Sequence, residues 1–122
     1  MGEKKDAIKK LTVEDILSCV DVKPKEVFVP EWDGSVTIQG FTKARQQQLR
    51  KDAAYGGEID TDRLEMLMFI NGVIEPAFTK DHYEQLREKS ASAIDTVLKE
   101  LMVLSGLSED EAKGAKQTFR AQ

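Results

Sequence analysis

The sequence predicts an α+β domain that is mainly α: a helical core with one β-hairpin near the N-terminus. Three observations predict it. Val27 and Val29 alternate with Glu26 and Phe28, and Val36 and Ile38 follow on the other side of an Asp33-Gly34 turn, the two-residue period of paired strands. Residues 64–74 are apolar nearly all round a helix, which suits the centre of a fold. Ile94, Val97, Leu98, Leu101 and Met102 recur at spacings of three and four, the stripe of an amphipathic helix.

The elements follow in order. Residues 1–10 are polar, mixed in charge and short of apolar side chains, and read as a frayed tail. Thr12 starts a short helix, with Asp15 three residues on as a near capping box and Ile16 and Leu17 facing inward. Pro24 breaks it and the hairpin begins. A two-residue turn would put Pro30 where a ladder N–H is wanted, so the loop runs longer, through Glu31 and Trp32. An isolated hairpin is barely stable in water and needs helices on one face. Thr42 caps a polar helix over residues 43–55, ended by Gly56-Gly57. Thr61 caps the central helix, residues 62–74, closed by Pro76. Thr79 caps a shorter helix through Lys89, and Ser90 starts the amphipathic one over residues 91–104, with Gly106 as its stop. Ser108 and Glu111 form a capping box for a last helix carrying Phe119.

At 122 residues the chain fits one domain spanning residues 1–122. It holds a modest core, since a chain of this size buries roughly two-thirds of the surface its unfolded form exposes. The formal net charge of −4 repels phosphate backbones, so general nucleic-acid binding is disfavoured. One cysteine, Cys19, cannot form an internal disulfide and fits a reducing compartment. The charged N-terminus lacks the apolar run of a signal peptide. No stretch approaches the roughly 20 apolar residues that span a bilayer. The expected partners therefore include neither nucleic acid nor membrane.

Residues that carry chemistry are sparse. His82 is the only histidine and stands beside Asp81 at a helix start; a general base needs a nucleophile or second titratable group held with it, and none is marked. One Cys and one His cannot build a zinc site. Asp60, Asp62 and Glu65 cluster where a helix dipole alone favours carboxylates, as do Glu109, Asp110 and Glu111. Gly56-Gly57 lacks the Lys-Ser/Thr sequel of a phosphate loop. Cys19 has uncharged flanks and reads as a small core residue. The expectation is a chain that is not an enzyme and takes no cofactor and no metal.

What remains is apolar side chain without an evident internal task. Trp32 lies at the hairpin tip and Phe28 on the side opposite Val27 and Val29. Both can tuck into the core, the commoner use of an aromatic, or contact a partner, where aromatics concentrate binding energy. Phe119 is open to either use. Leu101, Leu104 and Leu107 join these three as candidate partner-binding residues, at the end of the amphipathic helix and just beyond it.

The order of elements resembles that of tail assembly chaperones of long-tailed phages, in particular the group of phages and phage-like elements of Gram-positive bacteria. The matching pieces are Leu11–Leu17 (LTVEDIL), Glu26–Thr42 (the hairpin leading into a capped helix), Leu64–Phe78 with its VIEPAF run, and Leu98–Glu111 (LKELMVLSGLSEDE). Together they span most of the chain. The resemblance implies a protein that coats the long helical tape measure protein, keeps it soluble, and helps recruit tail tube subunits. It further implies self-association into homo-oligomers, residence in the host bacterial cytoplasm, and absence from the mature virion. A competing expectation is a small helical DNA-binding regulator or antitoxin-type protein. It would use the cations Lys43, Arg45, Arg50 and Lys51, and Arg45→Ala and Arg50→Ala would then weaken salt-dependent duplex binding.

Overall fold

The computed structural model describes residues 8–106. The α+β, mainly helical class is what it shows, built on a small antiparallel sheet near the N-terminus. Strand β1 (Pro24–Val29) and strand β2 (Gly34–Gln39) form the hairpin, with Val27 opposite Val36 and Val29 opposite Gly34. The loop is a 3₁₀ turn, Pro30–Trp32, closed by Asp33 in the left-handed region at φ 49°. Aspartate tolerates that conformation because its short polar side chain bonds locally. The longer loop expected from Pro30 is therefore present, and Val27, Val29, Val36 and Ile38 are all buried.

Helix α2 (Lys43–Ala53) is capped by Thr42, whose Oγ1 accepts the Arg45 N–H at 3.1 Å. It ends two residues before the expected Tyr55. The glycine pair does a different job from ending the helix. Strands β3 (Ala54–Tyr55) and β4 (Glu58–Ile59) pair around Gly56 and Gly57, both at positive φ, the turn geometry that matches strand twist.

Helix α3 (Thr61–Gly72) runs through the centre, capped one residue earlier than expected by Asp60, which accepts the Arg63 N–H. It stops at Gly72 rather than reaching Ile74. The last apolar residues form strand β5 (Val73–Glu75), which pairs antiparallel with β2 through Val73–Ile38 and Glu75–Thr37 and bulges between them. Two β-branched residues and a residue before proline all favour extended backbone. The sheet order is β1-β2-β5, so the hairpin gains a third strand the sequence does not announce. A cis Glu75–Pro76 bond follows.

The shorter helix is a 3₁₀ turn, Lys80–His82, leading into helix α4 (Tyr83–Arg87). Helix α5 (Ala91–Leu104) is capped by Ser90 and followed by Gly106 at φ 91°, as expected. It packs on the inner sheet face and on α3. The main core joins Val27, Val29, Val36, Ile38 and Val73 of the sheet to Phe69 and Ile70 of α3 and to Ile94, Val97, Leu98 and Leu101 of α5. Leu49, Ala53 and Leu67 make a smaller cluster between α2 and α3. Glu31 ties the hairpin tip to the first turn of α5, since its carboxylate accepts the Ser92 hydroxyl; that bond and a backbone one hold its pKa below the usual range.

The N-terminal helix α1 (Val13–Ser18) corrects an expectation. Its capping box is complete: Thr12 Oγ1 accepts the Asp15 N–H at 3.1 Å and Asp15 accepts the Thr12 N–H at 3.0 Å. Yet it buries no residue, and Ile16 and Leu17 face outward. Periodicity reports that a helix has an apolar side, and says nothing of what covers that side. Cys19 is likewise exposed at the end of α1 and is not a core residue.

Candidate protein-binding surfaces

The expected partner-binding residues separate once placed. Leu101 is fully buried, so it belongs to the core and not to a surface. It meets α3 at Gly72, where an added Cβ would lie 2.5 Å from Leu101 Cδ2. Leu104 is partly buried against the same core, next to Gly40. Trp32 is partly buried too, edge-on to Phe69 with ring centroids 6.2 Å apart, which is the core-filling use. Phe28 alone of the described candidates stands on the surface, 60% exposed. Leu107 and Phe119, with the helix expected from Ser108, lie outside the described residues.

Around Phe28 the surface is concave. A groove of about 380 Å³ runs between β1 and α5, lined by Glu26, Phe28, Thr96, Lys99 and Glu100. Lys25 and Glu100 pair across it at 2.7 Å. Strand β1 is the edge of its sheet, and an edge strand offers unpaired backbone groups to an added segment. A larger cleft of about 460 Å³ lies between α3, α4 and α5, with Met66, Leu86 and Ile94 in its lining and Asp62, Arg87 and Asp95 around them. Apolar side chains among charges of both signs suit an amphipathic helix laid into the cleft.

One uncovered apolar surface among the described residues escapes the sequence reading. Ile8, Leu11, Val13, Ile16, Leu17 and Val20 are between 56% and 80% exposed along one N-terminal arm. The spacing of Val13, Ile16 and Leu17 marks one side of α1 as apolar, which was legible; its isolation was not, because isolation is a tertiary property. On the opposite charge register, Lys43, Arg45, Arg50 and Lys51 are exposed on α2, beside an exposed Tyr55 and Ile59 on the β3–β4 hairpin.

The residues that carry chemistry have structural partners. His82 Nδ1 accepts the Thr79 N–H at 3.0 Å, and its ring stands edge-on to Phe78. Asp60 is a helix cap. Among the described residues, no three of His, Cys, Asp and Glu stand together as a metal-ligand set, and no helix is long and apolar enough to cross a membrane.

The sequence matches no family model and no curated protein. The fold is similar to that of the protein YqbN, a structural-genomics target solved by crystallography. The TM-score is 0.57 at 16% sequence identity, and the match covers 83% of this chain and 99% of that one. At that identity the likeness is one of fold.

Proposed function

We propose that this chain is a phage tail assembly chaperone, one that binds the tape measure protein, keeps it soluble, and helps recruit tail tube subunits. The observation that supports the reading is apolar side chain left uncovered in separate places: the N-terminal arm and Phe28 beside the β1 edge. Contiguous exposed apolar surface marks sites of protein association. The sequence resemblance over Leu11–Leu17, Glu26–Thr42, Leu64–Phe78 and Leu98–Glu111 supplies the particular client. A tape measure protein is a long helix whose apolar seam aggregates unless covered. The groove and cleft offer it helix-sized and strand-sized seats, and the acidic net charge of −4 keeps a coated complex apart from its neighbours. Such a protein acts in the host cytoplasm, assembles as homo-oligomers, and leaves before the virion is complete.

Co-expression with the tape measure protein of the same phage tests this. The expected result is a client moved from the pellet to a soluble complex carrying many copies of this chain, read as mass by light scattering. A client equally insoluble with and without this chain overturns the reading.

A further inference from the structure

We propose that residues 107–122 fold back along α5 as a helix and set Phe119 against Phe28 in the groove between β1 and α5 of the same molecule. The groove is lined by Glu26, Phe28, Thr96, Lys99 and Glu100 beside the buried Val27, and Phe28 stands 60% exposed there. Val103 extends the same surface toward the end of α5. It lies four residues from Lys99 and seven from Thr96, so the three share one face of the helix, and it is 49% exposed. An uncovered phenylalanine and an uncovered valine thus mark the two ends of one strip. The valine end lies where the chain leaves α5.

The chain beyond α5 has the length and the pattern to cover that strip. Gly106, at φ 91°, has the left-handed conformation that ends a helix and turns the chain. The sequence predicts a helix from Ser108, and Ala112, Ala115 and Phe119 recur at spacings of three and four, one apolar stripe. Both helices rise by about 1.5 Å per residue, so one running back along α5 brings position 115 level with about position 98 and position 119 with about position 94. Helical side chains lean toward the N-terminus of their own helix. The Phe119 ring therefore comes level with Thr96 and Phe28.

Tethering selects the chain's own groove. A segment joined directly to α5 meets the strip at the high effective concentration of a short linker, which a second copy free in solution does not match. The cleft on the other flank of α5 offers less, because Leu86 and Ile94 in its lining are already buried. Gly114 and the short length leave the predicted helix marginal alone, so it forms as it docks and the docked state is shallow. A client segment laid on Phe28 has to displace the tail first.

Two adjacent positions on α5 separate docking from a loose tether. Thr96 lines the groove and Asp95 lines the cleft. Cys19→Ser removes the sole cysteine, which is exposed. In that background Ala115→Cys is combined with Thr96→Cys in one full-length chain and with Asp95→Cys in another, and each is mildly oxidised at low concentration. The expected result is an intramolecular disulfide formed about tenfold faster with position 96, because a docked pair far exceeds the effective concentration of a free tail. Adding Phe119→Glu or Phe28→Glu should bring the two rates level. Equal rates in the parent pair, a faster link to position 95, or linkage chiefly between molecules overturns the proposal. So does a preference for position 96 that survives Phe119→Glu. The test uses this chain alone, so its failure leaves the chaperone reading untouched.

Discussion

Phe69→Ala should cost about 3–5 kcal/mol of stability, the range for removing a fully buried aromatic. Phe69 has no exposed surface and packs between the hairpin tip and the segment that follows β5. Its ring meets Trp32 of the hairpin tip at 6.2 Å and Phe78, just past β5, at 5.7 Å. Truncation leaves a cavity between them and removes the face on which Trp32 packs. Since domains of this size are stable by only about 5–15 kcal/mol, the loss is a large share of the whole. Trp32 is the one tryptophan, so its fluorescence reports the site directly. The expected readings are a red-shifted native spectrum and a much lower urea midpoint. Phe28→Ala is the control, since an exposed substitution falls within about 0.5 kcal/mol. Equal midpoints for the two variants would show that Phe69 does not occupy the core.

A second large effect is expected where α3 crosses α5. A Cβ on Gly72 would stand 2.5 Å from Leu101 Cδ2 and 2.6 Å from Cδ1, against about 3.5–4.0 Å for an ordinary carbon contact. Leu101 is itself enclosed, so it yields only by leaving its rotamer or by parting the helices. Gly72→Ala should therefore cost about 1–3 kcal/mol by overpacking, and Leu101→Ala about 2–5 kcal/mol by cavity formation. Together they should cost less than the sum, because the added methyl enters the space the leucine vacates. Coupling between touching residues runs about 0.5–3 kcal/mol, and chemical denaturation of the four proteins measures it. Strict additivity would place the two residues out of contact.

Much of the fold was legible, and the reasons are local. Thr12, Thr42, Thr79 and Ser90 each accept a backbone N–H at the helix start their side chains announce. The alternation of Val27, Val29, Val36 and Ile38 fixed which hairpin face is buried. What escaped depends on partners distant in sequence. Val73 and Ile74 continue an apolar run, so period alone cannot separate helix from strand, and it is Ile38 and Thr37 that recruit them. Leu101 belongs to the amphipathic stripe and was also a candidate for a partner, as was Phe28. The core cluster that Leu101 joins, with Gly72 against it, encloses the one, while Phe28 stays 60% exposed on the sheet. The exposed stripe of α1 was legible as a stripe, while its direction depends on what the rest of the chain leaves uncovered.

At one corner of the body the two ends of the described chain come together. Val22 is held by Gln39, Leu104 packs against Gly40, and the Phe41 N–H donates to Ser105 Oγ. The stretch entering β1 and the stretch leaving α5 therefore meet at one place, while Gly56-Gly57 is an open turn where a Cβ on either glycine would meet nothing within 4 Å. The order in which the elements are strung is thus separable from how they pack. A circular permutant bridged from residue 105 to residue 22 and opened between the two glycines would keep the sheet order β1-β2-β5 and the seating of α5 upon it.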